Sequence, residues 1–395
     1  MVNADDFLQL CKQHQYDLFS GTPCSYLKPL INAVIDDPEI QYLPATNEGD
    51  AVAMICGASL KNRKGVVMFQ NSGLGNAVNP LTSLSFPFRF PFIMIVTHRG
   101  QPGGPADEPQ HELMGKVTEE MLDTLKIGWE HFPDDVPQLQ AAFQRALDYI
   151  GKTDLPYAFV LRKGTIEAQE LKSPPPELPL GKRSFSFSET IGKRYEERLT
   201  RTEALREILA FKHPDDILVA TTGKTGRELY ALGDTPDQLY MVGSMGCASS
   251  FALGAAICSP ERRWVVIDGD AAALMRLGNL ASVGHFQPSN YLHILLDNEI
   301  NDSTGGQSTV SPNVSFSAVA QACGYGQVFA ADCAEALASI LQKLERNSGP
   351  VLIHFRIRKG SPKDLGRPGI KPYEVKQRLM NHLAAGQPTD RRGRE

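Results

Sequence analysis

Asp270 and Asn298 stand about 28 residues apart, and each directly follows an apolar run, WVVIDG for the first and YLHILLD for the second. A helix-length segment lies between them. If the two runs are neighbouring parallel strands, both side chains emerge at one carboxyl edge, where open α/β sheets bind their ligands. A carboxylate and an amide offer hard oxygen donors. With Gly269 beside the acid to let a phosphate approach the backbone, this set suits Mg²⁺ shared with a ligand's phosphates better than a closed metal cage. Read without that strand context, the same two residues are a strand-end capping Asp and a turn Asn.

The elements that must position them recur. Residues 53–100, AMICGASLKNRKGVVMFQNSGLGNAVNPLTSLSFPFRFPFIMIVTHRG, follow the same plan as residues 251–299. Each segment reads as a small-residue helix, a polar turn, a β-branched strand, a Gly/Ala loop, a helix and a second apolar strand. The expected fold is therefore α/β, with two doubly wound parallel-sheet domains. The stretch SPPPELPLGKRSFSFSE (173–189) has consecutive prolines and no apolar period, which marks a linker. The expected organisation is a first domain over 1–172, a linker over 173–195, a second domain over 196–387 and a polar tail over 388–395. In the overlay Asn71 falls opposite Asp270, so only the second half carries the metal-type acid. The first half carries Glu48 at the start of a small-residue helix, where position alone makes it a solvated first-turn acid.

Composition narrows the function classes. The chain has 395 residues, 42% of them hydrophobic, and a net charge of −5, which argues against a general nucleic-acid binder. Seven cysteines without C-x-x-C spacing suggest reduced thiols rather than disulfides or a zinc site. No run reaches the roughly 20 apolar residues of a membrane span, and a cytoplasmic location is expected. Gly223-Lys224-Thr225 resembles a P-loop, but Leu218 occupies the place of the first glycine. Gly73-Leu-Gly75 resembles a dinucleotide fingerprint, but Val78 replaces its third glycine.

Glu48, Gly243-Ser-Met-Gly246, Gly269-Asp270 and Asn298, in this order, resemble the signature of the thiamine diphosphate-dependent 2-oxo acid decarboxylases. FSGTPCSYLKPLIN (19–32), NEGDAVA (47–53), GQPGGPADEPQHELMG (100–115), TTGKTGRELY (221–230) and LDNEINDSTGGQSTVS (296–311) are similar to the branch of that family acting on phosphonopyruvate, which also includes the sulfopyruvate decarboxylases. The resemblance implies a pyrimidine-binding domain first, a diphosphate-binding domain second and no middle domain. It implies thiamine diphosphate and Mg²⁺ as cofactors, with Asp270, the Asn298 side chain and the Ile300 carbonyl as metal ligands. Gly269, Ala271 and Ala272 would face the phosphates, although the family pattern has Gly where this chain has Ala271. Glu48 would hydrogen-bond the aminopyrimidine, and Gly243, Ser244 and Met245 would support it. Met245 also reads as an ordinary core methionine. His111 is a candidate proton donor or acceptor, or a solvated loop histidine. Ser25, Asn71, Arg99 and Lys224 are candidate contacts for a 2-oxo acid with a distal anionic group, with Arg227 a further cation. Cys24 reads equally as a packed or a reactive thiol. The resemblance further implies a homo-oligomer with active sites between subunits, and decarboxylation of phosphonopyruvate in phosphonate biosynthesis. The alternatives are sulfopyruvate decarboxylation or carboligation.

Overall fold

The computed structural model describes residues 1–174 and 185–385. The first domain holds a six-stranded sheet made of β1 (Tyr16–Gly21), β2 (Gln41–Pro44), β3 (Lys64–Phe69), β4 (Ile93–Thr97), β5 (Gly128–His131) and β6 (Tyr157–Leu161). The second holds a seven-stranded sheet of β7 (Ser186–Thr190), β8 (Asp216–Ala220), β9 (Gln238–Tyr240), β10 (Arg263–Gly269), β11 (Tyr291–Asp297), β14 (Gln327–Ala331) and β15 (Val351–Arg356). A separate two-stranded ribbon pairs β12 (Ile300–Asn301) with β13 (Gln307–Ser308). Every pairing within the two large sheets is parallel. Helices cover both faces, so the central strands are apolar without alternation. All five residues of β4 and all seven of β11 are buried.

The first sheet runs β2-β1-β3-β4-β6-β5, and the second, taken from its far edge, runs β9-β8-β10-β11-β15-β14-β7. The orders correspond strand for strand, with β7 added, so the two halves share one plan, as the sequence overlay suggests. β10 pairs with β11 from Trp264↔Tyr291 to Gly269↔Leu296, which brings Asp270 and Asn298 to one edge.

The linker is shorter than expected. Its residues 186–190 form β7 on the outer edge of β14. Alternating Ser and Phe exposed on such an edge leaves no core periodicity to betray a strand. Residues 175–184 of the expected linker, and the expected tail 388–395, lie outside the described residues. Among the described residues no helix is long and apolar enough to cross a membrane.

The domains meet through equivalent helices, Glu48–Ala58 and Ala248–Cys258, which are built of small residues and buried almost all round. Their backbones touch. A Cβ at Gly57 would stand 1.8 Å from the Phe251 carbonyl oxygen, and one at Gly254 would stand 1.9 Å from that of Met54. Only glycine permits this approach, and it sets how the start of the Glu48 helix faces the second domain.

Candidate active site

Asp270 opens the helix Asp270–Met275 directly after β10 and is 3% exposed. Its Oδ2 accepts a 2.6 Å hydrogen bond from Thr309 Oγ1. Thr309 contacts Ser311 at 3.0 Å, Ser311 Oγ donates to Asp297 Oδ1 at 2.8 Å, and Asp297 Oδ2 pairs with His354 Nε2 at 2.9 Å. The two buried carboxyls are treated differently. Burial pushes Asp270 up, and the charge of Asp297 adds to this against the opposing Thr309 bond. Burial also acts on Asp297, but His354 and Ser311 outweigh it and hold that carboxyl below the usual range. Asp270 thus lacks the counter-charge that Asp297 has, which fits a carboxylate built to meet a cation.

Asn298 follows β11 and is 2% exposed. One end of its amide lies 2.8 Å from the Ile300 carbonyl oxygen and the other 3.0 Å from Arg201 Nη2, and both contacts become hydrogen bonds when the amide nitrogen is the end turned to the carbonyl. Arg201 is buried and also pairs with Glu228 at 2.9 Å. The Asp270 carboxylate, the Asn298 amide oxygen and the Ile300 carbonyl would together offer oxygen donors alone, the chemistry that Mg²⁺ prefers. A Cβ at Gly269 would meet nothing within 4 Å, so the space beside the acid is open. Ala271 lies in the first helical turn and is not among the residues with positive φ, so its methyl costs no backbone strain. Ala272 is buried in the same turn.

Glu48 is a half-buried first-turn acid held by its neighbours. Asn47 caps its helix by accepting from Gly49 N at 2.8 Å. The Glu48 carboxylate accepts from Thr22 Oγ1 at 3.0 Å and from Asn76 Nδ2 at 2.8 Å. A Cβ at Gly73 would come within 2.4–2.5 Å of that side chain, so glycine there makes room for the acid.

Second-domain groups approach this point within the same chain. Arg276 donates to Asn47 Oδ1, and to the Asn76 carbonyl at 3.3 Å. Ser244 Oγ donates to the Asn79 carbonyl at 3.2 Å, and a Cβ at Gly243 would stand 2.6 Å from Ser83 Cβ. Ser244 and Gly246 adopt positive φ, 51° and 92°, which turns the chain sharply around half-buried Met245.

The other expected residues separate into groups. His111 is 6% exposed and its Nδ1 has no hydrogen-bond partner, so it is not a solvated loop histidine. Ser25 and Arg99 line one cleft of about 300 Å³ together with Tyr26, Asp107 and Lys163. Arg99 is already paired: Nε and Nη2 hold Asp107 at 2.7 and 2.5 Å, and Nη1 donates to Ser25 Oγ at 3.1 Å. Asp107 is accordingly held well below the usual carboxylate range. Asn71 is fully buried, and its Nδ2 donates to the Arg99 carbonyl at 2.9 Å and to Thr118 Oγ1 at 3.0 Å, so its amide braces the Arg99 backbone. Lys224 belongs to the second domain, 3.5 Å from Asp302, and does not line the Ser25 cleft. Arg227 is tied to the carbonyls of Leu365 and Gly366. Cys24 is buried and packs against Gln70 and Thr97.

Sequence reasoning passed over Thr309, Ser311, Asp297, His354, Arg201, Arg276 and Lys163. Asp297 carried a signal, since it immediately precedes Asn298 at a strand end. The others act through partners remote in sequence.

Residues 1–122 match the family described as thiamine pyrophosphate enzyme, N-terminal TPP binding domain, and residues 224–355 match its C-terminal TPP binding domain. Phosphonopyruvate decarboxylase of Streptomyces viridochromogenes is 45% identical over 96% of this chain and 94% of its own. Sulfopyruvate decarboxylase of Methanosarcina acetivorans is 28% identical over 97% of this chain and 98% of its own. Benzoylformate decarboxylase of Polynucleobacter necessarius shares the fold, with a TM-score of 0.71 and 12% identity over 91% of this chain and 99% of its own. The chain belongs to the thiamine pyrophosphate enzymes, in the branch formed by the phosphonopyruvate decarboxylases.

Proposed function

We propose that this chain decarboxylates 3-phosphonopyruvate to phosphonoacetaldehyde and CO₂, using thiamine diphosphate held through Mg²⁺. The observation that carries the reading is the 45% identity to a phosphonopyruvate decarboxylase along nearly the whole chain, against 28% to a sulfopyruvate decarboxylase. Asp270, the Asn298 amide oxygen and the Ile300 carbonyl would hold the metal. The Asn298 side chain and that carbonyl already meet at 2.8 Å, so a cation needs only the oxygen end of the amide turned inward. The open side of Gly269 and the first N–H groups of the helix Asp270–Met275 leave room for the diphosphate.

When bound, thiamine diphosphate supplies the carbon nucleophile and the electron sink that a 2-oxo acid lacks for losing CO₂. This chain's residues supply position and protons. Glu48, fixed by Thr22 and Asn76, would hold a proton at the aminopyrimidine ring nitrogen. The Gly243 carbonyl would accept from the ring's amino group, and Met245 would fill the space behind it. His111, buried with a bare Nδ1, is suited to move a proton at the reacting carbon. Ser25, Arg99, Lys163 and Lys224 are the candidate contacts for the distal phosphonate. With Arg99 neutralised by Asp107, exposed Lys163 is, among the described residues, the other positive charge lining the cleft.

A second copy of the chain completes the proposal. Val242, Met275 and Phe86 are 51%, 57% and 42% exposed and flank the segments that join the domains, where apolar surface calls for a partner. Light scattering reads this directly, and a monomer at micromolar concentration would refute it. The test of function is CO₂ and aldehyde release from phosphonopyruvate and sulfopyruvate in parallel, with thiamine diphosphate and Mg²⁺ added and Asp270→Ala as control. Phosphonopyruvate should be turned over preferentially and the control should be silent. Turnover of sulfopyruvate alone would overturn the substrate assignment.

A further inference from the structure

His98, Glu119 and His131 converge in the first domain from three separate elements. His98 directly follows β4, Glu119 lies on the helix Glu112–Thr124, and His131 ends β5. One ligand atom from each lies within 4.8 Å of the others. Glu119 Oε1 is 3.7 Å from His98 Nδ1 and 3.3 Å from His131 Nε2, and the two imidazole rings lie nearly parallel with centroids 6.2 Å apart. Donors about 2.0–2.1 Å from a tetrahedral Zn²⁺ stand roughly 3.3 Å from one another. The His131–Glu119 separation of 3.3 Å already meets that geometry, and the His98–Glu119 separation of 3.7 Å needs only a small inward movement of the carboxylate.

The tautomer of His98 is set by its other nitrogen. Nε2 lies 2.8 Å from the Gly115 carbonyl oxygen, which can only accept, so Nε2 carries the proton and a neutral ring leaves Nδ1 as a bare lone pair. That Nδ1 has no hydrogen-bond partner, and the residue is 3% exposed. A buried acceptor left unpaired is costly and uncommon. An imidazole whose outer N–H is anchored on a backbone carbonyl while its inner nitrogen faces a carboxylate and a second imidazole is the usual arrangement of a metal ligand. Glu119 and His131 are 38% and 37% exposed at their side chains, which gives a cation a path from solvent. Arg162, whose charge acts on His131, is directed to Asp134 at 3.5 Å.

We propose that His98 Nδ1, Glu119 and His131 Nε2 form a second cation site that takes a borderline divalent metal such as Zn²⁺, with water completing its shell. Two imidazoles and one carboxylate select against Mg²⁺, whereas the all-oxygen set at Asp270 selects for it. The ion fastens the helix Glu112–Thr124 to the ends of β4 and β5. That helix begins immediately after His111, so the site steadies the segment carrying this histidine.

The test uses the full chain loaded with thiamine diphosphate and excess Mg²⁺, titrated with Co²⁺ and then with Zn²⁺. The Trp129 ring lies 5.7 Å from that of His131, whereas the only other tryptophan, Trp264, is buried in the second domain. Co²⁺ should quench Trp129 fluorescence with a stoichiometry of one per chain, give the visible absorption of a nitrogen- and oxygen-bound ion, and be displaced by Zn²⁺. His131→Ala and the shape-preserving Glu119→Gln should each weaken binding by at least the ~10–100-fold that loss of an outer partner costs. No Co²⁺ binding to the wild-type chain up to millimolar concentration would overturn the site. So would equal quenching in His131→Ala, or quenching that vanishes only in Asp270→Ala.

Discussion

After β10 stands Asp270, and at the corresponding point after β3 stands Asn71. After β11 stands Asn298, and after β4 stand His98 and Arg99. One strand order thus serves two differently wired edges. In the second domain a carboxylate pushed up by burial shares its edge with an amide that lies 2.8 Å from a backbone carbonyl oxygen. In the first, the Asn71 amide is consumed by the Arg99 backbone and Thr118, and the Arg99 guanidinium by Asp107. The difference teaches that the shared fold provides an edge, and that the residue type at one strand end decides whether that edge binds a ligand or braces a loop.

Exchanging the two residue types should break this comparison most severely. Asp270→Asn keeps the shape and removes the charge, so decarboxylation should fall by at least ~10³-fold at fixed Mg²⁺, about 4 kcal/mol in barrier terms. Asn71→Asp should not create a second Mg²⁺ site. It sets a buried carboxylate against the Arg99 carbonyl in place of a donated hydrogen bond, at a cost of about 3 kcal/mol. A urea midpoint lowered accordingly, with unchanged Mg²⁺ stoichiometry, is the expected result. An added equivalent of bound Mg²⁺ would show that the edges are interchangeable.

Gly73→Ala tests whether the first domain's contribution rests on Glu48. Gly73 has helical φ and ψ of −73° and −12°, so alanine suits the backbone, but its Cβ would fall 2.4 Å from Glu48 Cγ. The acid must move. Turnover should drop by ~10–100-fold, the effect of an ångström-scale misplacement, while the urea midpoint changes little. Unchanged turnover would remove Glu48 from the mechanism.

Asp50 probes the contact between the domains. It is 1% exposed on the Glu48 helix, its Oδ1 lacks a partner, and burial raises its pKa to about 6 against the opposing pull of Arg276 and Ser250. The folded form therefore binds a proton more tightly than the unfolded chain. Its contribution to stability is fully present below about pH 4 and is lost as pH rises through about 6. Asp50→Asn should flatten that part of the stability profile and leave the variant about 2 kcal/mol more stable, relative to wild type, at pH 7 than at pH 4. Parallel profiles for the two proteins would reject the assignment.

The sequence made the apolar parallel strands, the repeated plan and the Asp270–Asn298 edge legible because each is written in contiguous residues and strand-end positions. β7 was hidden since its Ser and Phe residues are exposed on a sheet edge, where burial imposes no pattern. The Thr309–Ser311–Asp297–His354 chain was hidden because its members come from separate segments of the second domain. Arg99 looked like a free cation because nothing local says that Asp107, eight residues on, folds back onto it. His98, Glu119 and His131 lie on three elements, and no spacing rule joins them.

The smallest expected effect concerns the one departure from the family pattern at the second edge, Ala271. If the methyl group obstructed the phosphates, Ala271→Gly should tighten thiamine diphosphate binding. The geometry argues otherwise, because Ala271 is helical, has no positive φ, and follows a Gly269 whose open side already leaves room for the ligand. Glycine in a helical turn loses more chain entropy on folding, about 0.5–1 kcal/mol relative to alanine. Ala271→Gly should therefore lower the urea midpoint slightly and leave cofactor affinity, read by calorimetry, within about twofold of wild type. A tenfold gain in affinity would mean that the alanine narrows the phosphate position, and that the second edge is less open than Gly269 makes it look.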